Sequence, residues 1–127
     1  MAQWVAGQLH AKRGHKPGSV LVLGLTFKEN VPGLRNSKVA DVIAELQTLG
    51  HTVTVHDPHA DAAEAHHEYG LTLSDDAFEQ TYDLVFLAVP HQYYLAAGAD
   101  RIAALVADGG TLADLKGVLG HQADWKL

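Results

Sequence analysis

Short apolar runs recur along the chain and predict the strands of a sheet. Residues 19–24 and 82–88 are nearly continuous apolar runs, which is typical of strands buried on both faces of a sheet. Residues 52–56, with the sequence TVTVH, and residues 110–114, with the sequence GTLAD, predict two shorter strands. The polar, Gly- or Pro-containing segments that bound these runs indicate where the strands end.

Amphipathic stretches separate the strands and predict helices. Residues 37–49 place their apolar side chains three and four positions apart, which predicts a helix whose start is capped by Asn36 or Ser37. Residues 61–69 and 99–107 predict two further helices. Because strands alternate with helices, we expect right-handed βαβ units. The fold class is therefore α/β, a three-layer Rossmann-like domain with a mainly parallel sheet flanked by helices.

The start of the chain has a different character from the rest. Residues 3–13 predict a short helix, which Gly and Pro residues between positions 14 and 18 interrupt. This helix presents Trp4 but belongs to no obvious core. We therefore divide the chain into residues 1–18, a helix end and linker, and residues 19–127, a domain.

The composition narrows the class of protein. A chain of 127 residues, 47% of them hydrophobic, is long enough for one globular domain. Its 9 Lys and Arg against 15 Asp and Glu give a net charge of −6, which argues against a general nucleic-acid binder. The absence of cysteine excludes a disulfide framework and a cysteine nucleophile within these residues. With no apolar run of membrane length and no signal-peptide pattern, we expect a cytoplasmic domain that contacts no membrane.

The richest candidate site is the polar loop after the first strand. Ligands of open parallel sheets bind outside the carboxyl ends of the strands, where residues 24–37 lie. The loop runs into a helix N-terminus, whose N–H groups and partial positive charge suit a phosphate. Lys28 offers a point charge to a diphosphate, and Arg35 offers a planar fork to an oxyanion. The alternative is a surface loop whose Lys and Arg side chains are only solvated.

Other kinds of site are disfavoured. Gly24 is not followed by the further glycines of a G-x-G-x-x-G fingerprint, so independent NAD binding is not expected. Asp57 nevertheless lies where a dinucleotide-binding domain has its ribose-binding acid. His56, Asp57 and His59 lie close together, but histidine is common throughout the chain and we expect no metal site. No Ser stands beside both a His and a carboxylate, so no catalytic residue is assigned. Residues 93–95, Tyr-Tyr-Leu, are expected in the core rather than in an exposed patch for a partner.

A resemblance to a known family rests on a series of motifs. Residues 20–37, VLVLGLTFKENVPGLRNS, closely resemble the start of the C-terminal, UDP-binding domain of the UDP-glucose/GDP-mannose dehydrogenase family. The match continues through KVADVI (38–43), VHDP (55–58), LAVPH (87–91) and DLKGVL (114–119). It covers nearly the whole chain and is nearest to the 6-dehydrogenases of UDP-N-acetyl-hexosamines (GlcNAc, GalNAc or ManNAc type).

The resemblance implies an enzyme divided between two domains, with residues 1–18 resembling the end of the helix that joins them. In the family an N-terminal Rossmann domain binds NAD, and the segment before the C-terminal domain supplies a catalytic cysteine and a lysine. Such enzymes oxidise the sugar C6 hydroxyl to a carboxylate in two steps that reduce two NAD, giving UDP-uronic acids for surface polysaccharide. The resemblance further implies a UDP-sugar and the N-terminal domain as partners and a homodimer at full length. It implies no dehydrogenase activity in this chain alone.

Residue by residue, the resemblance implies four ligand contacts. Phe27 and Lys28 match the pair that contacts the UDP-sugar across the domain cleft, and Lys116 matches a basic position that meets the nucleotide-sugar. Arg35 matches an arginine that reaches toward the NAD bound by the other domain. The family usually has an acidic residue where this chain has Gly33, a departure that bears on how Arg35 is positioned.

Two alternatives stay open at this point. A UDP-glucose or GDP-mannose 6-dehydrogenase would keep the family and change the substrate, whose sugar is discriminated largely by residues outside this chain. A non-catalytic interaction module would keep the fold and lose the ligand. The presence of Phe27, Lys28 and Lys116 argues against such a module, which would have little reason to keep them.

Overall fold

One sheet organises the computed structural model, which describes residues 2–26, 30, 33–34 and 37–126. Its strands are β1 (Ser19–Leu23), β2 (Thr52–His56), β3 (Tyr82–Leu87), β4 (Val106–Asp114) and β5 (Trp125–Lys126). They lie side by side in the order β2-β1-β3-β4-β5, and every neighbouring pair is parallel. The predicted α/β fold with a parallel sheet is confirmed.

Helices cover both faces of this sheet. They are α1 (Ala2–Lys12), α2 (Lys38–Thr48), α3 (Ala62–Tyr69), α4 (Gln92–Ala97) and α5 (Ala99–Ala103), with short 3-10 turns at Ala77–Glu79 and Gly120–Gln122. In the part of the chain that the structure describes, none of them is long and apolar enough to cross a membrane.

Two hydrophobic cores, one on each face of the sheet, produce three layers. Successive side chains of a strand point to opposite faces. Val20 and Val22 of β1 accordingly join a core with α1, α2 and α3, whereas Leu21 and Leu23 join a core with α4 and α5. The layered arrangement predicted from the alternation of strands and helices is therefore present.

The first helix contributes to the core on the α2 side. Val5, Ala6 and Leu9 of α1 are buried there and pack against α2, whereas Trp4 is 52% exposed. The helix for which the sequence offers no obvious core is thus packed onto the domain.

The helix predicted at residues 99–107 is wrong in its second half. It ends at Ala103, and Val106 begins β4 by pairing with Tyr82. Apolar residues in this stretch suit a helix face and a buried strand equally well. The long-range pairing with β3 decides between the two.

The prediction that residues 93–95 lie in the core is correct for one residue and wrong for two. Tyr94 is fully buried, but Tyr93 is 52% exposed and Leu95 is 41% exposed. These residues belong to α4, where successive side chains point about 100° apart. A single turn therefore directs Tyr94 inward and its neighbours outward.

Candidate functional site

The strand order places a crevice at one edge of the sheet. From β1 the chain crosses to β2 on one side, and then to β3 on the other side of β1. The order therefore reverses between β1 and β3. Ligands of open α/β sheets bind at such a switch point, outside the carboxyl ends of the strands. The side chains that follow β1, β2, β3 and β4 are the ones placed to meet a ligand.

Asp57, directly after β2, is a buried carboxylate whose two oxygens both accept hydrogen bonds. Oδ2 accepts from the backbone N–H groups of Leu25 at 2.6 Å and Thr26 at 2.9 Å. Oδ1 accepts from the N–H groups of His59 at 2.7 Å and Ala60 at 3.2 Å. The side chain is fully shielded from solvent. Asp57 therefore ties the end of β2 to the loop that leaves β1.

His91, beyond the end of β3, is the second buried member of this group. Its Nε2 lies 3.0 Å from Asp57 Oδ2 and 3.0 Å from Thr26 Oγ1. Its Nδ1 accepts a hydrogen bond from the Asn30 N–H at 2.8 Å. Because a nitrogen that accepts a hydrogen bond carries no proton, the ring proton lies on Nε2 and the imidazole is neutral. His91 is thus a hydrogen-bond donor to Asp57 and an acceptor for the loop.

These contacts keep the Asp57 carboxylate charged. Burial alone would raise the pKa of Asp57, as it does for any carboxyl removed from water. The hydrogen bond from His91, followed by those from the backbone of Leu25 and Thr26, outweighs burial and brings the pKa well below its ordinary value. A fixed negative charge therefore stands beneath the loop that leaves β1.

Asn30 adds a second link between the loop after β1 and the residues after β3. Its Oδ1 accepts from the Gln92 N–H at 2.7 Å, while its own N–H donates to His91. Its φ of 62° is left-handed, a conformation that Asn tolerates better than most residues. Thr26 and Asn30 stand on either side of residues 27–29 in the sequence, and both are bonded to His91.

A similar arrangement holds the residues that flank positions 35 and 36. The Tyr69 hydroxyl donates to the Leu34 carbonyl and accepts from the Ser37 N–H at 3.2 Å. Ser37 Oγ donates to the Leu25 carbonyl at 2.6 Å and accepts from a backbone N–H in the first turn of α2 at 3.3 Å. The predicted capping of this helix by Ser37 is confirmed. The helix therefore starts from a point that is fixed against the end of β1.

Of the four predicted ligand residues, the structure describes Lys116. Phe27, Lys28 and Arg35 lie outside the described residues. Lys116 is exposed and follows β4, two strands away from β1 in the sheet. Its backbone therefore leaves the same edge of the sheet as the loop after β1.

A buried carboxylate also sets the turn that carries Lys116. Asp114, the last residue of β4, is fully buried. It accepts hydrogen bonds from the Gly117 N–H at 3.0 Å and the Leu119 N–H at 2.6 Å. The DLKGVL segment thus folds back over its own acid and turns the Lys116 side chain to the surface.

Lys116 also lines a cavity of about 690 Å³. The walls come from the start of α1, from α2 and from residues at the ends of β3 and β4, and they are mainly apolar. Lys38, the first residue of α2, reaches the same cavity, and Asp41 and Glu45 border it as well. Small-ligand sites have volumes of about 300–1,000 Å³. The cavity therefore has the size for a small ligand, with mainly apolar walls and two lysines among the residues that line it.

The loop after β1 does not fit a dinucleotide. In a dinucleotide-binding turn the first N–H groups after the strand meet the pyrophosphate, but here those of Leu25 and Thr26 are bonded to Asp57. Both oxygens of Asp57 are engaged by the chain itself, so this acid is structural and does not serve as a ribose ligand. Gly24 serves packing, because at its φ of 99° a Cβ would lie 2.6 Å from the Val89 Cβ.

The histidines near Asp57 are engaged in packing and hydrogen bonding. Nδ1 of His56 lies 2.8 Å from the Tyr94 hydroxyl, and burial lowers the pKa of His56. The rings of His59 and His91 pack with their centroids 4.5 Å apart. Within the described ranges, no group of three His, Asp or Glu side chains is arranged to hold a metal ion.

Comparison with known protein families identifies the class of domain. The model of the UDP-glucose/GDP-mannose dehydrogenase family, UDP binding domain, matches residues 21–121. The chain belongs to the UDP-glucose/GDP-mannose dehydrogenase family. The match confirms the family that the motifs predict, and it spans β1 to β4 and the crevice between them.

Curated relatives in this family are similar along most of the chain. Protein CapL from Staphylococcus aureus is 48% identical over 115 residues, which are 86% of this chain and 27% of CapL. The UDP-N-acetyl-D-glucosamine 6-dehydrogenase from Pseudomonas aeruginosa is 43% identical over 118 residues, which are 91% of this chain and 28% of the relative. The chain therefore spans little more than a quarter of the length of these relatives.

Solved structures of two UDP-sugar dehydrogenases share the fold. The UDP-N-acetyl-mannosamine dehydrogenase Cap5O from S. aureus matches with a TM-score of 0.74 at 18% identity, over 98% of this chain and 29% of that one. A UDP-glucose dehydrogenase from Pyrobaculum islandicum matches with a TM-score of 0.72 at 25% identity, over 98% of this chain and 28% of that one. The three-layer domain thus recurs within longer dehydrogenases.

Sequence analysis of this UDP-binding domain assigns no role to His91 or Lys38. His91 is the last residue of the LAVPH motif, and Asn30 is the last residue of the FKEN motif. The two motifs are therefore the sequence feature that points to these residues. The bond between them joins residues 61 positions apart, which no local pattern can reveal. Lys38 comes directly after the helix cap, and its position in the sequence does not distinguish it from a solvated residue at the start of a helix.

Proposed function

We propose that the chain is the nucleotide-sugar-binding C-terminal domain of an NAD-dependent UDP-N-acetylhexosamine 6-dehydrogenase. The observation that carries the proposal is the family match of residues 21–121, a range that includes the residues following β1, β2, β3 and β4. The choice of branch is supported by relatives from P. aeruginosa and Salmonella typhi, both UDP-N-acetyl-D-glucosamine 6-dehydrogenases, at 43% and 40% identity. The enzyme would oxidise the sugar C6 hydroxyl to a carboxylate.

In this proposal the domain contributes positioning. It holds UDP so that the sugar C6 meets the catalytic cysteine and the nicotinamide, both supplied by other parts of the enzyme, and correct positioning is itself a large part of catalysis. The chain contains no cysteine. The N–H groups of Leu25 and Thr26 are bonded to Asp57 and are not offered to a dinucleotide, in keeping with NAD binding to an N-terminal domain. A cytoplasmic homodimer with that domain as partner completes the proposal.

Four residues are proposed to meet the ligands. Phe27 and Lys28 would contact the UDP-sugar, Lys116 would meet it from the end of β4, and Arg35 would reach toward NAD on the other domain. Lys116 is supported by its exposure, by the fixed turn that presents it and by the cavity that it lines. Two ammonium groups that converge on one diphosphate form charge-assisted hydrogen bonds, which are stronger than neutral ones.

A titration with UDP, followed by amide NMR at low salt, tests the site. Lys28→Ala and Lys116→Ala should each weaken UDP binding about 10-fold, because a hydrogen bond to a charged group contributes about 1.5–3 kcal/mol and every 1.4 kcal/mol is tenfold. Lys12→Ala is the matched control. It removes the same charge from the far end of α1, where the next residue, Arg13, pairs with Asp83 near the start of β3.

The outcomes separate the proposed function from its alternatives. Equal losses in all three lysine variants would mean that only net charge matters, and would contradict a defined site. Preference for GDP over UDP would favour the GDP-mannose branch. No binding of either nucleotide at millimolar concentration would favour a non-catalytic interaction module.

A further inference from the structure

One buried histidine bonds to residues on both sides of the segment that carries Lys28. Nε2 of His91 lies 3.0 Å from Thr26 Oγ1, and Nδ1 accepts from the Asn30 N–H at 2.8 Å. Thr26 directly precedes residues 27–29 and Asn30 directly follows them. His91, beyond β3, therefore contacts the described residues on both sides of positions 27–29.

We propose that His91 is the positioning residue of the UDP site. It fixes Thr26 and Asn30, the described residues that flank positions 27–29 in the sequence, and the affinity for UDP should depend on these contacts. The inference rests on the proposed function, because it concerns the same ligand. It adds a residue that touches no ligand itself and acts through the loop.

The surroundings of His91 allow one protonation form. The Asp57 carboxylate, charged and shielded from solvent, requires a donor at Nε2, which lies 3.0 Å away. The Asn30 N–H requires an acceptor at Nδ1. A neutral ring with its proton on Nε2 meets both requirements. In a ring protonated at both nitrogens, the Nδ1–H donor would face the Asn30 N–H donor. Asp57 thus keeps the ring proton on Nε2, which leaves Nδ1 to accept the hydrogen bond from Asn30.

Loss of the contact between His91 and Asp57 should have a different effect from loss of the contact between His91 and Asn30. The contact with Asp57 is fully buried, so breaking it harms the fold. Asn30 is an exposed residue, so water can replace the acceptor if Nδ1 is removed. Loss of the Asn30 contact alone should therefore leave the domain folded and release the loop.

Two amide substitutions separate these contacts. His91→Gln places an amide NH₂ near the position of Nε2, which keeps a donor for Asp57 and removes the acceptor for Asn30. His91→Asn places an amide oxygen near the position of Nδ1, which keeps the acceptor for Asn30. Tyr82→Phe is the matched control. It removes a buried hydrogen bond of 2.9 Å to the Ala77 carbonyl, at the opposite end of β3.

The readouts are amide hydrogen exchange at Asn30 and the affinity for UDP. In His91→Gln the Asn30 amide should exchange at least about 10-fold faster than in the wild type, and UDP should bind about 10-fold more weakly. His91→Asn keeps the acceptor for Asn30 but loses the donor to Asp57, so it should lower the urea midpoint and still keep the exchange rate of the Asn30 amide within about 3-fold of the wild type. Tyr82→Phe should change neither quantity, even where it lowers stability.

A measurement on the wild-type chain needs no variant. A scalar coupling across the hydrogen bond from Asn30 N to His91 Nδ1, with ring ¹⁵N shifts of a neutral imidazole protonated at Nε2, would support the assignment. A ring protonated at both nitrogens, or equal Asn30 exchange in all variants, would overturn it. Faster Asn30 exchange with unchanged UDP affinity would overturn the positioning role. Failure of the wild type to bind UDP would refute the proposed function, and the coupling would still decide whether His91 holds Asn30.

Discussion

The substitution Asp57→Asn tests the buried carboxylate on which the crevice is built. An asparagine amide presents one oxygen and one NH₂ group, whereas the carboxylate presents two acceptors. Oδ1 of Asp57 faces two backbone N–H groups, and Oδ2 faces two more together with His91. Whichever way the amide is placed, its NH₂ group points at two or more donors.

The size of the effect can be worked out from these contacts. A buried donor left without an acceptor costs about 1–3 kcal/mol, so two such donors cost about 2–6 kcal/mol. Domains have a free energy of unfolding of about 5–15 kcal/mol, and the loss is therefore a large part of the total. Urea unfolding at pH 7 measures it. Asp61→Asn is the control, because Asp61 caps α3 from an exposed position and Asn caps a helix about as well as Asp.

The same substitution has a signature in its pH dependence. The pKa of Asp57 is lower in the folded chain than its ordinary value of 3.8, so its stabilising effect is complete above that value and is lost as the pH falls below it. The difference in unfolding free energy between wild type and Asp57→Asn should therefore be constant from pH 7 to about 5 and shrink below about 4. A difference under about 0.5 kcal/mol at pH 7 would refute the reasoning, and so would one that persists unchanged at pH 3.

Two further predictions concern stability. Gly24→Ala should destabilise the domain by about 3 kcal/mol or more or prevent folding, because it adds a Cβ 2.6 Å from the Val89 Cβ at a φ of 99°. Gly70→Ala, at a φ of 68° with open space around it, should cost only about 1 kcal/mol in thermal or urea unfolding, and equal effects would contradict the packing argument. The pKa of His51 is lowered, first by burial and then by His10, so the unfolded chain binds a proton that the folded chain resists and stability should fall as the pH drops below 6.5. In His51→Gln the fall in urea midpoint between pH 7.5 and 5.5 should be smaller, and an unchanged fall would contradict this.

The sheet was predictable because its signal is local. The alternation between Val20 and Leu21 along β1 assigns each side chain to one of two cores before any partner is known. The boundary between α5 and β4 was not predictable in this way. Leu105 and Val106 suit either element, and the deciding contact is the pairing of Val106 with Tyr82, far away in the sequence.

The candidate site, too, is predictable where its signal is local and not where it depends on long-range contacts. The loop after β1 and the turn at Lys116 are predictable from motif and topology, because the carboxyl ends of parallel strands meet at one edge of a sheet. The hydrogen bonds that join Asp57 and His91 to each other and to the loop after β1 connect residues 31 to 65 positions apart. Sequence analysis therefore interprets Asp57 by analogy with a ribose-binding acid, and only the structure reveals that both of its oxygens are engaged by the chain.

The engagement of Asp57 explains why the loop carries cations where a dinucleotide site carries glycines. A Gly-rich turn leaves its N–H groups open, and a pyrophosphate binds to the backbone directly. Here the N–H groups of Leu25 and Thr26 are bonded to a buried negative charge, so these two backbone groups are not offered to a phosphate. Phosphate recognition then has to come from side chains, for which Lys28 and Lys116 are the proposed donors. Because a lysine on a loop is only as well placed as the loop itself, such a site needs a residue that fixes the loop. His91, which bonds to Thr26 and Asn30, is the residue proposed for that role.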